Sequence, residues 1–227
     1  MRTLPLRLPS VDGESLPGYI TRYSHTFQIQ PGDVTRALGL DSGAGSVTAA
    51  ARYGVSLSVE QLHHAAFATG IGNDVLERML LSRYTRRAPG RSTATTPVTL
   101  VDAVQGQQVW IWCSRFCPPC LREDGAWRLR WQLECSTLCL RHQVLLRLRC
   151  PQCGRVPQVA ARRQWQQDHQ GLLTDPSHCW RRHRHALCRA NLAEADAVSV
   201  ASDTRLLAAQ CRIDALLDRQ PQRPTGN

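Results

Sequence analysis

The sequence predicts an α+β protein in which an α-helical N-terminal domain precedes a small cysteine-rich domain of short strands and helices. Two observations support this prediction. Apolar residues recur at helical spacing in the first part of the chain, whereas all ten cysteines lie between Cys113 and Cys211. We expect a helical domain over 1–84, a linker rich in Pro, Gly, Ser and Thr over 85–108, a double metal-binding domain over 109–192, and a C-terminal helix and tail over 193–227.

The N-terminal domain should begin with two helices. The first is expected to start near Ser15 and to run to about Phe27, where Pro and Gly soon interrupt the pattern. A short second helix is expected from Asp33 to Leu38, with a glycine at its end. The last helix of the chain, over residues 203–219, is amphipathic and should pack back onto the protein.

The segment that follows the first two helices predicts a helix-turn-helix-like hairpin. Ser58 and Gln61 have the spacing of a capping box, and Gly70 suits the end of the first helix of the hairpin. The second helix is expected from Asn73 to about Tyr84.

The second helix of this hairpin supplies candidate DNA-binding residues. In a DNA-reading unit of this kind, polar side chains on that helix reach base edges, and arginines beside it reach phosphates. The candidates are Asn73, Arg78, Arg83, Arg86 and Arg87. The alternative is an ordinary helical hairpin that packs or docks a protein, and Asp74 favours it because a carboxylate there repels phosphate.

The cysteines form two groups with the spacing of metal ligands. The first group is Cys117 and Cys120, separated by two residues, followed by Cys139 and His142; the second is Cys150 and Cys153, followed by Cys179 and Cys188. Two such pairs supply the four ligands of a closed tetrahedral site. We therefore expect two structural zinc ions in a zinc-ribbon-like domain.

The second group leaves an alternative open, because eight residues separate Cys179 from Cys188. The competing ligands are His178, His183 and His185. The three remaining cysteines, Cys113, Cys135 and Cys211, are interpreted as small buried apolar residues. The tryptophans near the cysteines are expected to fill the cores of the zinc domain rather than to stack on bases.

A catalytic role for the metal is not predicted. Catalytic zinc keeps an open coordination position, whereas four-ligand cysteine-rich sites are closed. The sequence also lacks the His-x-Glu element of zinc deaminases. We therefore expect a protein that is not an enzyme.

The charge distribution favours a polyanionic partner. The formal net charge is +10, and residues 101–190 contain 14 arginines against 6 acidic residues. Duplex DNA is the leading candidate partner, and a solvated basic surface is the alternative. No apolar stretch is long enough to cross a membrane and no signal peptide is recognisable, so a cytoplasmic protein is expected.

Several segments together have the pattern of one known protein family. The N-terminal match comprises Gly13-Glu14-Ser15-Leu16, Tyr19-Ile20 and Arg22. The central match comprises Ser114 to Leu121 around the first cysteine pair, then Trp127, Arg128, Trp131, Cys139, His142, Leu145-Leu146 and Cys150-Pro151-x-Cys153-Gly154. Cys188-Arg189-Ala190-Asn191-Leu192 resembles the family's closing ligand, where Gly-Ala-Asp-Leu is usual.

These segments resemble the TniQ family of transposition proteins, and the resemblance implies a role in choosing the target of a transposon. TniQ-like proteins link target DNA, or a complex bound to it, to an AAA+ regulator of the transposase, and they join no DNA themselves. The resemblance therefore implies a non-enzymatic, DNA-associated adaptor whose partners are duplex DNA, an AAA+ transposition ATPase and the transposase complex. The alternative is a protein-docking zinc module without direct DNA contact.

Overall fold

The computed structural model of the protein describes residues 4–40, 53–84, 113–159, 175–183 and 186–218. Helices predominate in these ranges, and the strands are short. The helices are α1 (Leu16–Phe27), α2 (Pro31–Ala37), α3 (Val59–Thr69), α4 (Asn73–Arg78), α5 (Pro118–Asp124) and α6 (Thr204–Asp218), with 3-10 turns at Leu81–Tyr84 and Leu129–Gln132. The strands form two antiparallel pairs, β1 (Leu138–Cys139) with β2 (Val144–Leu145) and β3 (Arg182–His183) with β4 (Ala186–Leu187).

Helix α1 begins and ends where the sequence predicts. The Ser15 hydroxyl accepts a hydrogen bond from the Gly18 N–H at 3.2 Å and so caps the N-terminus. Helix α2 begins two residues earlier than expected, at Pro31. Proline suits the first helical position because a backbone N–H there would have no intrahelical partner, so its absence removes no hydrogen bond.

The hairpin of α3 and α4 forms, but its second helix is shorter than predicted. Ser58 and Gln61 make both hydrogen bonds of the capping box, and Gly70 ends α3 with a φ of 71°. Helix α4 ends at Arg78 instead of continuing to about Tyr84. In a longer helix the Arg83 N–H would donate to the Met79 carbonyl. It donates instead to the Leu80 carbonyl at 3.1 Å, within a 3-10 turn, and the Met79 carbonyl accepts the Leu16 N–H at 3.0 Å.

The helical and cysteine-rich parts pack directly against each other. The Ser15 N–H donates to the Trp127 carbonyl at 2.8 Å, and the Leu129 N–H donates to the Gly13 carbonyl at 2.7 Å. A methyl group on Gly18 would lie 3.0 Å from Trp127 Cβ, so the helix and the tryptophan approach closely. A further apolar cluster joins residues of both parts: Leu81, Tyr84, Leu129 and Leu133. The sequence-based domain boundaries remain predictions. The residues of the predicted helical domain make extensive contacts with those of the predicted metal-binding domain.

The C-terminal helix α6 packs onto the protein mainly through polar groups. Of its 15 residues only Gln210 is buried, and its amide oxygen accepts from the Thr137 N–H at 3.0 Å. Asp214 and Asp218 form ion pairs with Arg130. Leu217 packs against the shared apolar cluster. None of the helices in the described ranges has the length and apolar character that crossing a membrane requires.

Candidate metal centres

The first candidate metal centre combines a helix N-terminus with a hairpin turn. Cys117 is the residue before α5, and Cys120 lies in the first turn of that helix. Cys139 lies in β1, and His142 follows it in the turn that leads to β2. The antiparallel pairing of Cys139 with Val144 closes this turn and presents both side chains to the helix N-terminus.

The four side chains converge on one point. Cys120 Sγ lies 3.6 Å from Cys139 Sγ and 3.2 Å from His142 Nδ1. Cys117 Sγ and Cys139 Sγ each lie 3.5 Å from the same nitrogen. All four ligand atoms fall within 4.8 Å of one another, so the group could hold a metal ion. We call it the first metal cluster.

A carboxylate orients the histidine of the first metal cluster. His142 Nε2 lies 2.8 Å from Glu123 Oε1. A proton on Nε2 makes this contact a hydrogen bond and leaves Nδ1 unprotonated toward the three sulfurs. Arg141 holds the other Glu123 oxygen at 2.6 Å. The sequence analysis missed Glu123, although its place on α5 three residues after Cys120 puts it on the same helix face.

The second candidate metal centre is built from a knuckle and a hairpin. Cys150 and Cys153 lie in a turn that the Gly154 N–H closes with a 3.0 Å bond to the Cys150 carbonyl, and Gly154 has a φ of 67°, which favours glycine. Cys179 and Cys188 flank the β3–β4 hairpin. The Cys188 N–H donates to the Arg181 carbonyl at 3.0 Å, which brings the two cysteines together.

This hairpin brings Cys179 and Cys188 to the two knuckle cysteines. Cys150 Sγ lies 3.6 Å from Cys188 Sγ, and Cys153 Sγ lies 3.8 Å from Cys179 Sγ. These four sulfurs fall within 4.8 Å of one another and form the second metal cluster. His178 Nδ1 instead lies 3.1 Å from Asp175 Oδ2. Of the other competing ligands, the His183 side chain and the whole of His185 lie outside the described residues.

The close thiols shift one another's pKa values in both clusters, and the pKa values of Cys139 and Cys150 are lowered. The neighbouring Cys117 and Cys139 thiols raise the pKa of Cys120 far above its usual value. Burial raises the pKa of Cys179, and it raises the pKa of Cys188 to about 11. Thiols this close cannot all ionise by themselves, because each thiolate repels the next. A divalent ion removes this penalty, so metal binding would release protons from the sulfurs.

The structure describes three of the five candidate DNA-binding residues. Arg78 pairs with Asp74 at 2.9 Å, and Arg83 pairs with Asp218 at 3.2 Å. Asn73 is half-buried, and its side-chain oxygen is buried without a hydrogen-bond partner, so that atom is not presented to solvent. Arg86 and Arg87 lie outside the described residues.

The remaining cysteines and the tryptophans near them were predicted to be buried, and the outcome differs between residues. Cys113 and Cys135 are half-buried, whereas Cys211 is exposed on α6, so its interpretation as a buried apolar residue is wrong. Trp127, Trp131 and Trp180 are at most 9% exposed and fill the core, as predicted. The other two tryptophans near the cysteines, Trp110 and Trp112, lie outside the described residues.

The sequence analysis also missed a buried ion pair that fixes the N-terminal segment. Arg22 donates to Glu14 from Nε at 2.8 Å and from Nη2 at 2.7 Å. Nη2 also donates to the Pro9 carbonyl at 2.8 Å. Eight residues separate the two charges, and Glu14 precedes α1. No rule of helical spacing therefore predicts this contact.

These features define a mainly helical protein with two cysteine-rich groups that could hold metal ions. A family model described as TniQ matches residues 5–146, which is more than half of the chain. The chain therefore belongs to the TniQ family, as the sequence analysis predicted, and its function is associated with transposition. The match includes α1 to α5 and the first metal cluster. No curated protein matches the chain.

Proposed function

We propose that the protein is a non-enzymatic, DNA-associated adaptor in transposition. In this role it links target DNA, or a complex bound to it, to an AAA+ transposition ATPase and the transposase complex. The observation that carries the proposal is the TniQ match over residues 5–146, because this family supplies accessory rather than strand-joining proteins. The excess of arginine in residues 101–190 supports a polyanionic partner.

We further propose that each metal cluster holds one structural zinc ion. A tetrahedral zinc ion with Zn–S bonds of about 2.3 Å and Zn–N bonds of about 2.0 Å has S···S edges near 3.8 Å and S···N edges near 3.5 Å. The observed S···S distances of 3.6 and 3.8 Å and S···N distances of 3.2 and 3.5 Å fit these edges. Three thiolates with one imidazole, and four thiolates, are donor sets that zinc favours.

The role of the zinc ions in this proposal is to cross-link short segments. The β strands here have only two residues each, too few for a stable sheet of their own. A closed four-ligand site fixes each knuckle against its hairpin in a zinc-ribbon-like arrangement. Trp127 and Phe116 pack against this framework, so the ions also support the surface that α1 contacts.

The α3–α4 hairpin is the proposed helix-turn-helix-like unit that approaches DNA. Asn73, Arg78, Arg83, Arg86 and Arg87 are its proposed contacts. The Asp74–Arg78 pair has exposed side chains, 70% and 56%, and pairs of this kind are weak enough for a phosphate to displace the carboxylate.

A protein-docking module without DNA contact is the second candidate, and a specific observation favours it. Val59 and Phe67 on α3 are 71% and 51% exposed, and Leu6 is 51% exposed. The Leu4 N–H donates to the Ala68 carbonyl, so the segment that carries Leu6 runs beside the end of α3. A group of exposed apolar side chains favours a surface that docks another protein.

Two binding experiments separate the candidates. The first measures duplex DNA binding by the whole protein, with Arg78→Ala/Arg83→Ala as the variant and Arg36→Ala/Arg205→Ala as the charge-matched control. The adaptor proposal expects wild-type binding that the variant weakens and the control does not. The second measures capture of the cognate AAA+ ATPase by wild type and by Val59→Ser/Phe67→Ser. Capture without any DNA binding at low salt would favour the docking module.

A further inference from the structure

We infer that the outer part of the second metal cluster, residues 149–155, 179–183 and 186–189, contacts the phosphate backbone of duplex DNA. The inference rests on the proposed DNA association and moves its principal contact away from the α3–α4 hairpin. These segments contain five arginines and no acidic residue. We call them the basic knuckle.

The basic knuckle differs in charge from the first metal cluster. With four thiolates and one divalent ion, it carries a net charge of about +3. Residues 117–142, which hold the first metal cluster, contain four arginines and three acidic residues. With three thiolates and one divalent ion, their net charge is about zero. The strongest local excess of positive charge around a metal centre is therefore at the second one.

The arginines near the first metal cluster are bound to groups of the protein itself. Arg128 pairs with Asp124 at 2.6 Å, Arg141 pairs with Glu123 at 2.6 Å, and Arg130 pairs with Asp214 and Asp218. A phosphate would have to displace these carboxylates. Their positive charge is already compensated within the fold.

Three arginines of the basic knuckle, Arg149, Arg155 and Arg189, are exposed, and within the described ranges none of these three forms an ion pair with a carboxylate. The Arg149 guanidinium donates to the Gly154 carbonyl at 2.9 Å. The Cys150 N–H donates to the Arg155 carbonyl at 2.9 Å, and Cys188 Sγ lies 3.6 Å from Cys150 Sγ. The backbones that carry the three arginines therefore meet around the four sulfurs of the second metal cluster.

The chemistry of the basic knuckle fits DNA better than a protein partner. Protein interfaces depend on buried aromatic and aliphatic anchors. The large exposed apolar side chains in the described ranges are Leu6, Val59, Phe67, Leu145, Val198, Leu206 and Leu216, and all of them lie outside the basic knuckle. A surface that offers guanidinium groups without apolar anchors is typical of sequence-independent phosphate contact.

The test compares two triple variants of the whole protein that remove the same charge. Arg149→Ala/Arg155→Ala/Arg189→Ala alters the basic knuckle, and Arg36→Ala/Arg205→Ala/Arg212→Ala alters exposed positions on α2 and α6. Binding to a short mixed-sequence duplex is followed by fluorescence anisotropy between about 50 and 200 mM salt. Each lost phosphate contact lowers the slope of log K against log salt by about 0.9, so the knuckle variant should lose about 3 units of slope and at least tenfold in affinity, whereas the control changes little.

Two further variants guard against a folding defect. Arg155→Ala/Arg189→Ala spares Arg149, whose side chain supports the knuckle turn, and should lose about 2 units of slope. Replacing the three arginines with lysine keeps the charge and should keep the slope. Each variant is checked for its metal content, which should equal that of the wild type.

Four results would overturn the inference. Equal losses in the two alanine triples would mean that only the net charge matters. Unchanged binding by the knuckle variant together with loss in Arg78→Ala/Arg83→Ala would keep the adaptor proposal and place DNA on the hairpin. Absence of wild-type binding at low salt would remove both this inference and direct DNA contact. Equal, equally salt-dependent binding of polyglutamate through the same arginines would identify an acidic protein partner instead.

Discussion

The guanidinium of Arg22 and the carboxylate of Glu14 form a two-point hydrogen-bonded ion pair, and the Glu14 side chain is fully buried. The Val11 N–H donates to the same carboxylate at 3.1 Å. Through these contacts the pair attaches the extended N-terminal segment to α1. Its removal leaves a charge in the interior that no water can solvate.

Arg22→Ala should therefore lower the free energy of unfolding by about 3–5 kcal/mol. Urea denaturation of the metal-loaded protein measures the change. The control is Arg36→Ala, which breaks an exposed pair with Asp33 and should cost no more than about 1 kcal/mol. Equal effects of the two variants would show that the buried pair contributes no more than a surface pair.

Gly18→Ala should destabilise the contact between α1 and the cysteine-rich part. The new methyl group would lie 2.9 Å from Ser15 Oγ and 3.0 Å from Trp127 Cβ, and neither neighbour is the end of a long flexible side chain. We expect a cost of about 1–3 kcal/mol in thermal or urea unfolding. Gly72→Ala is the matched control, because its methyl group would meet only the mobile carboxylate of Asp74. A stable Gly18 variant would mean that the two parts can separate slightly without loss.

Glu123→Gln should weaken metal binding at the first metal cluster alone. The carboxylate fixes the orientation and tautomer of His142, and loss of such a partner typically lowers affinity about 10–100-fold. Competition with a chromophoric chelator should show one ion released more readily and one unchanged. Glu134→Gln, at an exposed position outside the ligand set, should leave both ions unchanged. If both ions are bound as tightly in the variant as in the wild type, Glu123 does not contribute to metal binding.

Elemental analysis of protein purified without chelator should find two zinc ions per chain, one for each group of ligand atoms. Cys120→Ser and Cys153→Ser should each remove one ion. A wild-type value near one would remove one of the two proposed sites. A value near zero would refute the structural role of zinc.

Loss of the first ion should also loosen α1, because Ser15 and Gly18 contact Trp127. Structural zinc contributes on the order of 10 kcal/mol of apparent binding energy to folding, far more than these contacts can offset. In Cys120→Ser, amide hydrogen exchange of residues 16–27 should be faster than in the wild type. Unchanged protection of α1 would instead support two parts that fold independently on either side of the predicted linker.

The local features of this fold were predictable from sequence, whereas its long-range contacts were not. Ser58 and Gly70 cap α3 and α1 begins next to Ser15, as predicted, because helix start and stop signals depend on a few neighbouring residues. Helix α4 ends earlier than predicted, where the Met79 carbonyl accepts the N–H of Leu16, a residue far away in the sequence. No pattern around Met79 encodes that contact.

The same distinction holds within the metal clusters. The paired spacing of Cys117 with Cys120 and of Cys150 with Cys153 identified half of each ligand set. Glu123 was missed because its role depends on a histidine that lies 19 residues later. The approach of Cys179 and Cys188 to the first cysteine pair depends on a hairpin too short to leave an alternating apolar pattern.

The β3–β4 hairpin makes the positions of the four sulfurs in the second metal cluster independent of the number of residues between Cys179 and Cys188. The bond from the Cys188 N–H to the Arg181 carbonyl sets the positions of both cysteines at the base of β3 and β4. One residue added to each strand beyond the pair His183 and Ala186 would leave that base, and therefore the four sulfurs, in place. The number of residues between Cys179 and Cys188 is therefore a weak criterion for recognising a site of this kind in a sequence.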